Sequence, residues 1–350
     1  DPQNPNFWYN RGNALDSAGQ REGAFASYQK ALQFAPNDSR IWNNYGVVLF
    51  RLGHWEAAAN SYSRSIELDG SCPQAWHNRG AVLLKLGRDS EALTCYDRSL
   101  DIQPASAATW YQRGIALDNL KRHAEAVASY DKALSLRDGD HNIWHNRAIA
   151  LRWAGQLDAA LESYEKAITF DPSDADTWYY RGRLLRQQGK LRAAVASYDL
   201  SLTLNPEQPN VWYDRGNVLA MVGQLRLAIA SYDEALKRDA SQQATWYNRG
   251  LAQLRMRQPE AALMSYLKAA ERGPDLPALQ FSQACCYLLQ TDRSDCSDWE
   301  RQTAIDRAAH CLRSAIEAEP DRYGQIAAQN PLFEPLTLNA PGRLKSQRPL

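Results

Sequence analysis

The pentad WYNRG at residues 8–12 returns unchanged at residues 246–250, and six related pentads lie between these two copies. Each pentad begins with tryptophan, and a constant interval of 34 residues separates Trp8, Trp42, Trp76, Trp110, Trp144, Trp178, Trp212 and Trp246. A fixed period of this length is typical of repeat proteins, in which each unit buries its apolar face against its neighbours. The period alone therefore predicts a solenoid.

Other positions become visible when tryptophan is counted as position 4 of the repeat. Position 8 is glycine in seven copies and Ala148 in the fifth, while position 20 is alanine and position 24 is tyrosine in all eight. The spacings 4, 8, 11 and 20, 24, 27 are helical, and glycine near position 15 and proline at position 32 separate the helical stretches. Each unit is thus predicted to be a helix hairpin in which bulky side chains face small ones.

This pattern of Trp, Gly, Ala, an aromatic residue and Pro closely resembles the tetratricopeptide repeat (TPR). The resemblance covers eight units, at residues 5–38, 39–72, 73–106, 107–140, 141–174, 175–208, 209–242 and 243–276. It implies an all-α fold, a right-handed superhelical solenoid of antiparallel helix pairs. It further implies that the first helix of each pair lines a concave groove that binds peptides or protein segments.

The two ends depart from the repeat. Residues 1–4 are interpreted as the end of a preceding repeat or a linker, and the absence of an initial methionine favours a longer parent protein. Residues 277–320 are interpreted as a degenerate ninth repeat with a 12-residue insertion, predicted to be a polar loop within 289–302, before a second helix at 308–320. Residues 321–350 are predicted to be a C-terminal cap and a flexible tail.

Composition narrows the range of partners. The formal net charge is zero, with 40 basic and 40 acidic side chains, which argues against nucleic acid as the main partner. No apolar run is long enough to span a bilayer, so no membrane insertion is expected. Six cysteines without CxxC spacing indicate a reducing compartment, and a cytoplasmic location is expected. The chain is expected to be a monomer or to self-associate weakly through the ends of the array.

Signatures of catalysis are missing from the sequence. It has no GxSxG, Walker-type Gly-Lys, GxGxxG or HExxH motif. His141 and His145 are four residues apart, but two ligands without a third are weak evidence for zinc. Core packing and a loop thiol explain the cysteines near the insertion better than a metal or redox site. We therefore expect a protein that is not an enzyme and that holds no metal and no cofactor.

The resemblance also indicates which side chains face the groove, since positions 2, 5, 6, 9, 12 and 13 of the first helix do so in this family. An amide column at position 6 and a tyrosine column at position 5 make the groove similar to those of asparagine-ladder TPR arrays. Such a ladder would hydrogen-bond the backbone of an extended peptide. The predicted peptide-binding residues are Asn10, Asn44, Asn78, Gln112, Asn146, Asn248, Tyr9, Tyr111, Tyr179, Tyr213, Tyr247 and Asn13. Tyr180 and Asp214 interrupt the column, and a solvated lining without a ligand is the alternative.

An arginine column at position 7 suggests a second role. The family has mostly apolar residues there, whereas seven repeats of this chain have arginine, and five repeats have an acid at position 25. Pairing each arginine with the acid of its own repeat or of the preceding repeat gives five matches either way, so the sequence leaves both possibilities open. In both cases the pairs are predicted to fix helix register rather than to bind a ligand.

Three functions are compatible with these features. The favoured one is a protein–protein interaction scaffold that binds an extended segment in the groove, for the assembly of a complex. The second is the regulatory or substrate-recruiting array of a larger enzyme. RNA binding is the least favoured, although Arg152, Trp153, Arg183 and Arg186 form a basic-aromatic patch that would suit an acidic peptide or stacked bases. A solvated face is the simpler interpretation of this patch.

Overall fold

The structure, a computed structural model, describes residues 3–274, 276–291, 296–334 and 336. Within these residues all regular secondary structure is helical, which confirms the predicted all-α fold of helix pairs. The α-helices are α1 (Pro5–Ser17), α2 (Arg21–Phe34), α3 (Ser39–Arg51), α4 (Trp55–Leu68), α5 (Pro73–Lys85), α6 (Asp89–Ile102), α7 (Ala107–Asn119), α8 (His123–Leu136), α9 (His141–Trp153), α10 (Leu157–Phe170), α11 (Ala175–Gln187), α12 (Leu191–Leu204), α13 (Pro209–Val222), α14 (Leu225–Arg238), α15 (Gln243–Arg255), α16 (Pro259–Ala270), α17 (Pro277–Thr291), α18 (Asp298–Ala318) and α19 (Gln325–Gln329).

A tight turn at repeat position 15 joins the two helices of each of the first eight pairs. Gly19 occupies this position with φ 75°, in the left-handed region where a residue without Cβ is unstrained. The fourth and eighth repeats place Lys121 (φ 62°) and Arg257 (φ 58°) in the same conformation. The turn geometry is therefore kept even where glycine is replaced, because the paired helices impose it.

Within a pair, the invariant tyrosine of position 24 fills the space beside position 8. Tyr28 is 1% exposed, and a Cβ added to Gly12 would lie 2.6 Å from its ring carbon Cε1. The fifth repeat has Ala148 at this position, opposite the equally buried Tyr164. The alternation of large and small residues predicted from the sequence thus sets the close approach of the two helices.

Neighbouring pairs are joined by the repeat tryptophan. The indole Nε1 of Trp42 donates to the backbone carbonyl of Pro36 at 2.8 Å, and that of Trp110 donates to Pro104 at the same distance. Trp76, Trp144, Trp212 and Trp246 form the same bond to the carbonyl six residues earlier, which attaches each of these first helices to the end of the preceding second helix in its own unit. The tryptophan column is consequently both a packing and a hydrogen-bonding device.

The chain divides into two compact units, Asp1–Ser173 and Asp174–Leu350. In the first unit, α1 to α10 form five pairs, and α2, α4, α6 and α8 each pack on the first helix of the next pair. Successive first helices also contact one another, as α1 with α3 and α7 with α9. The second unit repeats this arrangement from α11 to α17. First helices therefore share one side of the stack within each unit.

The ninth pair differs from the sequence prediction in the length of its loop. The 12-residue insertion within residues 289–302 was predicted to be a loop before a second helix at 308–320, yet α17 extends to Thr291 and α18 begins at Asp298. The Ser297 hydroxyl accepts from the backbone N–H of Glu300, whose side chain accepts from the backbone N–H of Ser297, a capping box that starts a helix. The polar composition of the segment concealed this signal in the sequence. Residues 292–295 of the predicted loop lie outside the described residues.

Residues after α18 fold back onto the ninth pair. A short π-helical segment (Pro320–Gly324), α19 and a 3₁₀ turn (Pro331–Phe333) follow one another. Phe333 is 1% exposed, and its ring lies 5.2 Å from that of Phe281 on α17. These residues cover apolar surface of the last pair. Most of the predicted tail, residues 337–350, and residues 1 and 2 of the predicted N-terminal segment lie outside the part of the chain that the structure describes.

Candidate functional site

The predicted amide column lies on the first helices, beside the aromatic column of position 5. We call the surface formed by positions 5 and 6 of the first helices, taken within each compact unit, the ladder face. Because successive first helices contact one another, a side chain on one can reach the next repeat. Asn44 does so: its Nδ2 donates to the Tyr9 hydroxyl at 3.1 Å and to Oδ1 of Asn13 at 3.0 Å.

This network continues across the first three repeats. Nδ2 of Asn78 donates to Oδ1 of Asn43 at 3.2 Å, and Nδ2 of Asn43 donates to Oδ1 of Asn44 at 3.0 Å. The hydroxyl of the buried Tyr28 donates to Oδ1 of Asn13 at 2.7 Å. Both the oxygen and the nitrogen of the Asn44 amide are therefore engaged within the protein.

The amide-to-tyrosine bond recurs farther along the chain. In the first unit, Nδ2 of Asn146 donates to the Tyr111 hydroxyl at 2.7 Å. In the second unit, Nδ2 of Asn248 donates to the Tyr213 hydroxyl at 3.1 Å and to Oδ1 of Asn217 at 3.0 Å. Asn44, Asn78, Asn146 and Asn248 thus form hydrogen bonds between consecutive repeats, a role that the sequence did not indicate.

Two predicted ladder residues have uncommitted amides. Asn10 is exposed and Gln112 is half-buried, and neither side chain forms a hydrogen bond with another described residue. Both are free to donate to and accept from a ligand. The predicted residues of the ladder face therefore divide into amides that hold the repeats together and amides that are available to a partner.

The predicted tyrosines pack against the invariant tyrosine of their own repeat. Ring centroids of Tyr9 and Tyr28 lie 6.2 Å apart, and those of Tyr247 and Tyr266 lie 5.6 Å apart. Burial, reinforced by the Asp214 carboxylate, raises the pKa of Tyr179 to about 12. At neutral pH this hydroxyl keeps its proton, and the tyrosine column remains a set of donors and acceptors in fixed positions.

A cavity opens on the ladder face of the first unit. It has a volume of about 340 Å³ and lies where α5 and α7 begin and α6 ends. Its lining consists of Asn43, Pro73, Gln74, His77, Asn78, Ser99, Gln103, Ser106, Ala108 and Thr109. Amides and hydroxyls dominate, and no lining residue is an acid, a lysine or an arginine. The cavity therefore suits a neutral polar group better than an ion.

His77 is the titratable group of this cavity. Its Nδ1 lies 2.9 Å from Oγ1 of Thr109, and its ring stands edge-on to Tyr96 with centroids 5.7 Å apart. Burial lowers the pKa of His77, which favours the neutral imidazole. One ring nitrogen is engaged by Thr109, so the other can serve a ligand.

The arginine column resolves the question that the sequence left open. Nε of Arg147 donates to Oδ1 of Asp131 in the preceding repeat at 2.7 Å, and Nη1 donates to the Ser163 hydroxyl in its own repeat at 2.6 Å. The guanidinium also lies over Trp144 at 5.5 Å. Equivalent pairs join Arg113 to Asp97, Arg215 to Asp199 and Arg249 to Asp233. Within each unit, the acid that pairs with arginine comes from the preceding repeat.

The first and third repeats keep only part of this arrangement. Arg11 donates to the Ser27 hydroxyl at 2.8 Å. Arg79 donates through Nη1 to Sγ of Cys95 at 3.3 Å, and its buried Nε has no partner. The missing acid thus leaves a buried donor unsatisfied at Arg79.

The basic-aromatic patch separates into two local clusters. In the first unit, the Arg152 guanidinium lies 4.7 Å from the Trp153 ring, which stacks on His123 at 6.0 Å. In the second unit, Arg183 and Arg186 lie close to the carboxylate of Asp214. Where Asp214 interrupts the amide column, a charged cluster therefore takes the place of the neutral amide.

The other sequence candidates give no metal site. His141 lies 3.7 Å from a carboxylate oxygen of Asp171, and His145 stands edge-on to Tyr164. Among the described residues, no three His, Cys, Asp or Glu side chains are grouped as metal ligands would be. In the same part of the chain, none of the helices has both the length and the apolar composition needed to cross a membrane.

Family profiles match most of the chain. Profiles described as TPR repeat or tetratricopeptide repeat match residues 5–38, 27–59, 48–87, 71–139, 150–185, 182–223 and 213–277. The chain belongs to the tetratricopeptide repeat family. No curated protein sequence matches this TPR chain at a significant level.

Solved structures share the TPR fold at low sequence identity. The C-terminal part of a TPR repeat-containing protein from Cytophaga hutchinsonii is 15% identical over 69% of this chain and 98% of its own, with a TM-score of 0.58. PilF of Pseudomonas aeruginosa is 16% identical over 67% of this chain and 97% of its own, with a TM-score of 0.50. YrrB, described as a TPR protein with an unusual peptide-binding site, is 22% identical over 54% of this chain and 97% of its own, with a TM-score of 0.49.

Sequence reasoning missed the serine that completes the arginine site of these TPR units. Position 23 is serine in seven repeats and Cys95 in the third. Its hydroxyl accepts from arginine and donates to a helix carbonyl, as Ser163 does to Ala159 at 2.8 Å. The signal was present, because a column of one small polar residue beside the invariant tyrosine is as regular as the arginine column.

Proposed function

We propose that this TPR protein is a non-enzymatic interaction scaffold that binds an extended segment of a partner protein on the ladder face of its first unit. The observation that carries the proposal is the cavity of about 340 Å³ beside Asn43, His77 and Asn78. Its volume falls within the range of about 300–1,000 Å³ found for ligand pockets. Polar groups from four helices, α3, α5, α6 and α7, converge on it.

The chemistry of the cavity favours a peptide. An extended segment has unpaired backbone N–H and C=O groups, and amides can serve both kinds at once. Gln74 and Gln103 add amides to those of Asn43 and Asn78, and the absence of charged lining residues spares the site the cost of burying an ion. A main-chain amide or a neutral polar side chain of the partner is the expected occupant.

The hydrogen bonds between repeats support this role. Asn78 is held in place by Asn43, which is held by Asn44, so the side chains beside the cavity are ordered before a ligand arrives. Ordering a side chain on binding costs about 0.5–1.5 kcal/mol, and a preordered surface avoids that cost. The amide network thus stabilises the array and prepares the binding surface.

The proposal extends to complex assembly. Each compact unit has its own ladder face, with Asn44 and Asn146 in the first and Asn248 in the second. A chain with two such faces can hold two partner segments at once. Bringing two partners onto one chain raises their effective concentration.

A peptide library tests the proposed site. The full chain is used to select binders from a phage-displayed library of random dodecapeptides, and the selected peptides are synthesised for fluorescence anisotropy. We expect Gln74→Trp, which fills the cavity, to raise Kd about tenfold, which corresponds to about 1.4 kcal/mol.

Asn142→Trp is the matched control. Asn142 is exposed and occupies the same repeat position on α9 as Gln74 does on α5, so it should leave Kd within about twofold. Selection of no peptide at all would contradict peptide binding. Equal binding by both tryptophan variants would exclude the cavity as the site.

A further inference from the structure

The amide column of the second unit is interrupted by a buried carboxylate. Asp214 is 8% exposed and stands at the position where the next repeat has Asn248. Its Oδ2 accepts from the Tyr179 hydroxyl at 3.0 Å, and its Oδ1 accepts from Nη1 of Arg186 at 3.4 Å. Nε of Arg183 lies 3.9 Å from the same carboxylate. An ion pair thus occupies the place that a neutral amide side chain has in the next repeat.

The next interface of the same unit provides the neutral counterpart. There, Asn248 donates to the Tyr213 hydroxyl and to Oδ1 of Asn217. Asp214 contacts the residues one repeat earlier at the same two positions, Tyr179 and Arg183. The two interfaces share their geometry, and the change from amide to carboxylate is accompanied by a change from amide to guanidinium.

The charges of the cluster do not balance. Two guanidinium groups face one carboxylate, and only Arg186 is within hydrogen-bond distance of it. The side chains of Arg183 and Arg186 remain 37% and 34% exposed, whereas that of Asp214 is 12% exposed. One positive charge is therefore in excess, and it lies on the exposed side of the cluster.

Aromatic rings surround the excess charge. The Arg183 guanidinium lies 5.6 Å from the ring centroid of Tyr179 and 6.0 Å from that of Tyr180. Beneath them, the hydroxyl of the fully buried Tyr198 has no hydrogen-bond partner, and both Asp214 and Arg186 act on it electrostatically. Stacking restricts the orientation of Arg183, which prepares its planar donors for a second acceptor.

We propose that Arg183 and Arg186 form a subsite for a carboxylate of a partner segment bound on the ladder face of the second unit, held between the two guanidinium groups beside Tyr180. The inference rests on the proposed peptide-binding function and adds its specificity: the second unit selects an acidic residue, whereas the cavity of the first unit takes a neutral one. Arginine donors hold a carboxylate in two parallel hydrogen bonds, which an amide cannot replace with equal strength.

Peptide selection separates this inference from the function on which it rests. The dodecapeptide library is displayed at the amino terminus of the coat protein, so that displayed peptides have no free C-terminal carboxylate. Selection on the full chain should enrich Asp and Glu at one position of the selected peptides. Peptides that bind without such enrichment would overturn the acidic subsite and leave the peptide-binding function intact, whereas a failure to select peptides would contradict both.

A combined variant supplies the control. Arg183→Asn, Arg186→Leu and Asp214→Asn together remove both guanidinium groups and the carboxylate, and they introduce the residues that later repeats have at these positions, Asn217, Leu254 and Asn248, so the variant should fold normally. It should abolish the acidic enrichment and weaken a selected peptide roughly fivefold, as expected for a partly exposed charge pair. Changing Glu to Gln in the peptide should weaken binding to the wild type by a similar factor and leave binding to the variant unchanged.

The source of the carboxylate is tested with synthetic peptides. Each selected sequence is prepared with an amidated and with a free C-terminus. Equal affinity of the two forms supports a side-chain carboxylate, and a gain for the free form that requires Arg186 assigns the subsite to a C-terminus. Arg186→Leu, which introduces the residue that the eighth repeat has as Leu254, is measured with the same peptides. The proposal is contradicted if the affinity stays the same when the acid is removed from the peptide, when its C-terminus is amidated and when Arg186 is replaced.

Discussion

At the scale of single residues, one side chain can serve both stability and binding. The Asn44 amide bonds Tyr9, Asn13 and Asn43, so its replacement would disturb the stack together with any ligand contact. The amides of Asn10 and Gln112 form no hydrogen bond with another described residue. The sequence identified the column but not this division, because the partners lie 31 to 35 residues away along the chain.

His77 is expected to make stability depend on pH. Burial lowers its pKa in the folded state, so the unfolded chain takes up the proton first as pH falls through about 6.5. The contribution of the neutral, buried His77 to the free energy of unfolding is therefore complete above that pH and is lost below it. Urea unfolding of the wild type and of His77→Tyr, compared between pH 7.5 and pH 5.5, should show the larger loss of stability in the wild type.

Tyrosine is the matched replacement because it occupies this position in five other repeats, as Tyr111 does in the next one. Acids that titrate in the same range affect both proteins, and the comparison cancels them. If the free energies of unfolding of the two proteins changed in parallel with pH, His77 would have the same pKa in the folded and the unfolded chain, which would contradict the prediction.

At the scale of helices, the arginine column joins three helices wherever the preceding repeat of the same unit supplies the acid. Arg147 on α9 holds Asp131 on α8 and Ser163 on α10. The arginine and its acid were both visible in the sequence, yet their pairing was undecidable, because periodic columns give equal matches within and between repeats. Only the packing of α8 on α9 removes the ambiguity.

Arg147→Met is expected to lower the free energy of unfolding by about 1–2 kcal/mol, because it breaks two hydrogen bonds and leaves Asp131 without its cation. Arg79→Met should cost less, since Arg79 has no acid partner and its replacement removes an unsatisfied buried donor. Urea denaturation measures the free energy of unfolding of both variants. A loss at Arg79 equal to that at Arg147 would show that the acid contributes nothing.

The C-terminal end shows the limit of pattern reasoning at this scale. The 34-residue period identified sixteen helices, because eight repeats of the same spacing reinforce one another. The ninth pair has no such support, and α18 begins at Asp298, ten residues before the position expected from the repeat pattern. Its start depends on one capping box, a local signal that a polar composition hides.

At the scale of the whole molecule, the contacts of a repeat array are local, and so is its stability. The division between Ser173 and Asp174 falls at the end of the fifth helix pair. Each unit contains complete pairs with their own buried tyrosines, such as Tyr130 in the first and Tyr232 in the second. The whole-chain fold was predictable for the same reason, since nearest-neighbour packing repeats without depending on distant contacts.

A fragment of residues 1–173 is expected to fold alone. Circular dichroism should show a helical spectrum and a cooperative thermal transition, since all five of its pairs are complete. A fragment of residues 1–156 is the control, because it removes α10 and leaves α9 without its partner. Its urea midpoint should be lower, and a disordered 1–173 fragment would show that the first unit depends on the second.

The acids that pair with the arginine column are unevenly distributed, and this has a mechanical consequence. Position 25 is Gln29 in the first repeat and Ser63 in the second, whereas Asp97 and Asp131 follow in the third and fourth. The first two interfaces therefore lack the arginine–acid pair that the next two have. A different ion pair, Arg51 with Asp16 at 2.6 Å, crosses the first interface. The joint between the second and third repeats has neither pair, so under a pulling force it should separate more readily than the two joints that follow it in the first unit.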